Sequence, residues 1–230
     1  MNQGRREEIR KEFESIVKRR FDALNEITLE KLDLNPYVLR LLGLKTPIEI
    51  AEFMISQRTE RGIVTSYGTR IQKIAKMFAS GTGAEGADIV KEKNGKRHYV
   101  QMKAGPNTPN KDLVRMINKL LAGAVRRNGG SVPLLGMTYG RRARVSGIIQ
   151  GYSDINWLIG REFWAFVSDD KNTAQELFDI ASDVAEHYVP DGGESYGVRL
   201  EKRIAELASQ IERKYGTGKE MWKKLFDDNM

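Results

Sequence analysis

The sequence predicts an α/β fold, a central mixed β-sheet flanked by helices, with helical additions at both chain ends. Three observations predict it. Residues 5–25 carry Ile9, Phe13, Ile16, Val17, Phe21 and Leu24 at helical spacing, with a charged opposite face. Two strand-like segments, ADIVKE and KRHYVQMKA, are joined by Asn94-Gly95, the strongest short hairpin signal. After the hairpin come a helical pattern, a strand and then helices, an order that a mixed sheet covered by helices satisfies.

The elements follow in chain order. Asn35-Pro36 opens a short apolar helix, YVLRLLGL, and Thr46-Pro47 supplies a cap followed by proline at the first helical position. The spacing predicts one helix from there to about Thr59 and another from about Ser66 to Ala79, with Tyr67, Ile71, Ile74 and Phe78 as its apolar stripe. The glycines of SGTGAEGAD end this stretch. Beyond the hairpin, residues 110–127 read as a helix, SVPLLGMTYG as a buried strand, and VSGIIQGY as the place of a further strand. Helices are expected at roughly 158–168, 172–188 and 194–215; Trp157, Phe163 and Trp164 fall in an apolar helical context and read as core. We expect one domain with a helical N-terminal arm at 1–34, a core at 35–170 and a helical C-terminal part at 171–230.

Composition narrows the chemistry. The 230 residues are 40% hydrophobic and 30% charged, a balance that suits a folded domain and not a disordered chain. There is no cysteine, which excludes disulfides, thiolate metal sites and thiol nucleophiles, and with only His98 and His187 a histidine-rich zinc site has no basis. A working metal should be a hard cation held by oxygen. A net charge of +7 and a pI near 9.5 point to a polyanionic partner, most simply nucleic acid. No apolar run is long enough to span a bilayer, and the N-terminus has no signal-peptide pattern, so the expected location is cytoplasmic.

The hairpin concentrates this chemistry. With Asn94-Gly95 as a two-residue loop, Lys93 opposes Lys96 and, stepping back, Asp88 opposes Gln101. Opposed Cβ atoms lie about 4.5–5.5 Å apart, and Lys103 projects from the same face as Gln101. A carboxylate, an amide oxygen and an ammonium thus meet. Phosphodiester hydrolysis asks for such groups: oxygen ligands for a divalent ion, magnesium by ligand type, and a cation for the developing negative charge. An ordinary polar hairpin face would share the same residues. His98 falls on the opposite face and receives no role.

Asp88 followed by Gln101-Met102-Lys103 resembles the PD-(D/E)XK nuclease signature, with Ala87 in place of the proline and Gln101 in place of the second acid. KAGPNTPNKD, TSYGTRIQKIAK, GMTYGRRARVSG and IGREFWAFVSDD resemble segments of a group of type II restriction endonucleases, so the likeness covers roughly residues 35–170. It implies a restriction-endonuclease-like fold and sequence-specific cleavage of double-stranded DNA, dependent on Mg2+. It also implies Asp88 and Gln101 as metal ligands and Lys103 as the catalytic lysine. The further glutamate often found on the preceding helix has Gln72 as its nearest match, with Glu60 and Glu85 as other candidates. A non-cleaving DNA-binding module with this fold and a junction or repair nuclease are the alternatives.

Two stretches suit a DNA groove. Asn107, Thr108, Asn110 and Lys111 offer donors near a helix start, where the same residues would equally serve a plain turn and cap. Tyr139, Arg141, Arg142 and Arg144 share one glycine-flanked loop, and arginine suits phosphate clamping and guanine readout. Arg126-Arg127 reads instead as a complement to a helix C-terminus. A duplex with two strands to cut predicts a homodimer, with the N-terminal helix and the C-terminal helices as candidate interfaces.

Overall fold

A computed structural model of the chain describes all residues except 83–85 and 107–109. Helices α1 (Gln3–Asn25), α2 (Pro36–Leu41) and α3 (Pro47–Lys76) precede strands β1 (Gly81–Thr82), β2 (Ile89–Lys93) and β3 (Lys96–Lys103). Then come α4 (Lys111–Arg127), β4 (Val132–Met137), α5 (Gly147–Tyr152), β5 (Asn156–Ile159) and α6 (Arg161–Ser168). Helices α7 (Thr173–His187), α8 (Tyr196–Tyr215) and α9 (Gly218–Asn229) complete the chain.

Two compact units are drawn by contact and not by order along the chain. Residues 1–14 and 67–186 form the first; residues 15–66 and 187–230 form the second. Helices α1 and α3 each contribute residues to both.

The first unit holds the sheet, whose strand order is β1-β2-β3-β4-β5. The β1–β2 and β2–β3 pairs are antiparallel, and β3–β4 and β4–β5 are parallel, so the sheet is mixed as expected. Parallel neighbours need a crossover. Helix α4 supplies the one between β3 and β4 and buries Val114, Ile117, Leu121 and Ala124, at helical spacing, in a cluster with Tyr99, Leu135 and Met137. Side chains alternate across a strand, and Ile89, Val100 and Met102 are buried on the other face.

That other face also carries a charged group. Lys91 is 6% exposed, and its ammonium donates to the Asp169 carboxylate, which Lys93 also reaches at 3.0 Å. These two hydrogen bonds hold the Asp169 carboxyl below the usual range. Asp169→Asn would leave the Lys91 ammonium desolvated without its anion. The expected cost is about 1–2 kcal/mol, discounted from a fully buried pair because Asp169 is half exposed, and it reads as a lower thermal midpoint. Because the folded-state carboxyl is depressed, the stabilisation is present at neutral pH and fades as pH falls through the carboxylate range. Melting curves for parent and variant should therefore converge in acid.

The second unit has its own core. Leu24, Leu34, Leu39, Ile50, Ile55, Leu207, Ile211, Met221 and Leu225 form one buried cluster. Asn35 caps α2 by accepting from the Tyr37 and Val38 N–H groups at 3.1 Å. At the start of α3, Thr46 Oγ1 accepts from the Glu49 N–H at 3.3 Å and Glu49 accepts in return from the Thr46 N–H at 3.0 Å, a reciprocal capping box.

Four expectations are corrected. The two helices expected from Thr46 to Thr59 and from Ser66 to Ala79 are one continuous α3. The glycine and β-branched residues between them lower helix propensity, yet the helix runs through them, with the Thr59 and Thr65 hydroxyls donating to the carbonyls of Ile55 and Arg61 at 2.9 and 3.0 Å. The segment around VSGIIQGY is helix α5, with Ser146 as its N-cap accepting from the Ile149 N–H at 3.3 Å, and not a strand. The strand lies later, at β5, so Trp157 is a strand residue and the helix expected from 158 begins at Arg161. Helix α9, unforeseen, is anchored by Met221 and Leu225 at i,i+4. Among the described residues no helix is long and apolar enough to cross a membrane.

Candidate active site

The hairpin has the register that its turn demands. Asn94 and Gly95 both take positive φ, 53° and 70°, as a type I′ turn requires. Lys93 pairs with Lys96 and Ile89 with Val100. Asp88, one residue before β2, continues the ladder by donating its N–H to the Val100 carbonyl at 2.9 Å. It therefore faces Gln101.

The side chains meet. Asp88 Oδ2 accepts from Gln101 Nε2 at 2.7 Å and from the Met102 N–H at 2.6 Å. Two donors on one oxygen fix the carboxylate, and among the described residues none reaches Oδ1. Gln101 donates an amide N–H to Asp88, and among the described residues nothing donates to its carbonyl oxygen. Lys103, partly buried on the same face, has no ion-pair partner among the described residues. Among those residues there is also no cluster of three His, Asp or Glu side chains. The oxygen donors at hand are thus one carboxylate and one neutral amide, a set that fits a hard cation and offers it little negative charge.

The end of β3 is held from several sides. The Thr138 and Tyr139 N–H groups donate to the carbonyls of Lys103 and Ala104 at 3.1 and 3.2 Å. The Thr138 hydroxyl donates to the Ala104 carbonyl at 2.8 Å, and Tyr67 OH lies 3.4 Å from the same hydroxyl. Burial pushes the Tyr67 phenol above its ordinary pKa, so it stays neutral. Trp164 Nε1 donates to the Thr138 carbonyl at 2.9 Å. The Tyr139 ring closes over Gly105, where an added Cβ would lie 2.5 Å from it and displace that exposed ring. The backbone bearing Lys103 is thereby fixed at the carboxyl ends of parallel strands, where open α/β sheets place their ligands.

The other candidate residues fall unevenly around this centre. Gln72, partly buried on α3, makes no hydrogen bond to Asp88, Gln101 or Lys103. Glu60 belongs to the second unit and accepts from Ser56 Oγ at 3.2 Å. Glu85, Asn107 and Thr108 lie outside the described residues. Asn110 is the N-cap of α4, accepting from the Leu113 N–H at 2.9 Å, and Lys111 holds its ammonium 4.4 Å from the centre of the Tyr152 ring. Tyr139, Arg141, Arg142 and Arg144 are all exposed. Arg142 forks onto Glu162, with its shortest contact at 2.8 Å, whereas Arg141 and Arg144 have no ion pair among the described residues.

Tyr67, Thr138 and Glu162 escaped sequence reasoning. Tyr67 reads as one more apolar position of α3 and Thr138 as one more strand residue. Glu162 lies twenty positions from the arginine it holds, beyond any local pattern.

A family profile described as Type II restriction endonuclease EcoO109I matches residues 5–187, which is most of the chain and includes every residue of this site. No curated protein matches the chain.

Proposed function

The chain belongs to the type II restriction endonuclease EcoO109I family and is a sequence-specific DNA endonuclease; on that premise we propose that Asp88, Gln101 and Lys103 perform its phosphodiester hydrolysis as a D…QxK variant of the PD-(D/E)XK motif. The observation that carries this reading is the contact of Asp88 with Gln101 at 2.7 Å, with one oxygen of each unengaged among the described residues and Lys103 on the same face.

Asp88 and Gln101 would hold the divalent cation through these oxygens. Magnesium is the ion we propose, because it is content with few protein oxygens and completes its shell from water and substrate phosphate. When bound, it would lower the pKa of a water and neutralise phosphate charge. The Met102 N–H and Gln101 orient the Asp88 carboxylate. Lys103 sets its ammonium where negative charge grows on the phosphate during attack by water. Arg141 and Arg144 contact the duplex, and Lys111 and Asn110 support the phosphate backbone near the start of α4. We place the protein in the cytoplasm with its DNA.

Gln101 gives the discriminating test. Gln101→Ala removes an oxygen ligand and a donor that orients Asp88, and should weaken metal affinity about 10- to 100-fold, as loss of a supporting partner does elsewhere. Gln101→Glu restores a second acid and should keep cutting at lower magnesium. Cleavage rates measured against magnesium concentration decide; a Gln101→Ala enzyme that cuts like the parent throughout would remove Gln101 from the site.

We further propose a homodimer, since the described residues hold one such site and a duplex has two strands. Sedimentation of the protein with its DNA should give two chains per duplex. A stable single chain on a cut duplex would contradict this.

A further inference from the structure

Resting on the reading of the 141–144 turn as a DNA contact, we propose that Arg142 is not a DNA contact itself: Arg142 and Glu162 form a positioning pair that holds the turn so that Arg141 and Arg144 discriminate the site. Arg142 Nε donates to both Glu162 oxygens, at 3.2 and 3.1 Å, and Nη2 donates to one of them at 2.8 Å. Its guanidinium carbon also lies 4.5 Å from the centre of the Trp157 ring. One side chain thus ties the turn to β5 and to the first turn of α6. Hydrogen bonding between the partners raises the Arg142 pKa and lowers that of Glu162.

The backbone is fixed as well. The Arg144 N–H donates to the Arg141 carbonyl at 2.9 Å and the Val145 N–H to the Arg142 carbonyl at 3.2 Å. Val145 is buried, and the Ser146 N–H reaches the Pro106 carbonyl at 3.4 Å, in the loop that follows Lys103. The turn is therefore coupled to the strand that bears the lysine. Arg141 and Arg144, on either side of the anchor, are exposed and have no ion pair among the described residues. A half-exposed ion pair contributes little to global stability. Pre-ordering a loop that must otherwise be immobilised on binding is worth more, because that ordering cost is subtracted from affinity.

The effect of one substitution on preference between duplexes separates this role from direct contact. Glu162→Ala adds a net positive charge and frees Arg142. The added charge strengthens binding to any duplex, but if Arg142 reached a base the preference for the cut duplex would rise. For a positioning pair that preference falls. The probes are a plasmid fragment that the parent cuts and an equally long duplex that it leaves intact, with binding to both measured at several salt concentrations. Arg142→Ala and Glu162→Ala should each lower the ratio of the two affinities roughly three- to tenfold, and the double variant should lose no more than either single one. Arg142→Glu combined with Glu162→Arg should recover part of the loss. Opposite effects of the two single variants, additive losses, or no change in the ratio would overturn the proposal. Thermal melts confirm that the variants are folded, and Glu162→Gln serves if the alanine variant is not. Failure of the parent to cut or bind any duplex would instead overturn the nuclease reading on which the proposal rests.

Discussion

Asp88→Asn is expected to abolish cleavage while leaving the protein folded and able to bind DNA. Asparagine keeps the size of the side chain and one oxygen to accept the Met102 N–H, now made at 2.6 Å, so the hairpin has no reason to change. What disappears is the charge. Gln101 is neutral, Gln72 is neutral and makes no hydrogen bond to the site, and among the described residues no other acid clusters there. A hard cation would then face the Gln101 amide oxygen and an asparagine NH2 group, with no anion until phosphate arrives, and a lone neutral oxygen holds such an ion weakly. The effect should exceed that of Gln101→Ala, because the amide contributes a dipole and the carboxylate a full charge. A gel-shift assay without metal should give parental affinity, and a plasmid assay should give no product. Loss of binding alongside loss of cutting would mean that Asp88 serves the fold and not the chemistry.

The second large effect is expected at Lys103. Lys103→Ala removes a cation that has no ion-pair partner among the described residues, so little native structure depends on it. If its ammonium meets charge that develops during attack, the cleavage step should slow by about 10²–10³-fold, the usual cost of deleting one such donor. Affinity should fall only by the worth of one phosphate contact. Its slope against log salt should then drop by roughly 0.9 at most. Single-turnover cleavage beside equilibrium binding separates the two. An equal loss in both would make Lys103 a binding residue.

Much of the site was legible because a hairpin is local. Asn94-Gly95 set the turn, the turn set the register, and the register brought Asp88 opposite Gln101 and Lys103 onto their face. The same arithmetic kept His98 out, and its ring packs edge-on to Phe166, with centroids 5.0 Å apart, on the other face. The mixed sheet followed from element order. What stayed hidden depends on distant partners. Arg142 looks like its neighbours Arg141 and Arg144 until Glu162 and Trp157 come beside it. Helix α3 runs unbroken across Gly62 and the β-branched residues beside it, where local propensity marks a boundary. Strand β5 is only four residues long and runs almost directly into α6, so its periodicity merged with that of the helix.

On the proposed reading, one carboxylate, one amide and one ammonium on this hairpin cut DNA with magnesium. Its most direct test is the single-turnover cleavage rate of a linear duplex against magnesium concentration, for the parent and for Asp88→Asn. The expected result is a saturating magnesium dependence for the parent and no cleavage by the variant at any concentration, with both proteins bound to the duplex. A variant that reaches the parental rate, or a parent that cuts equally well in chelator, would contradict it.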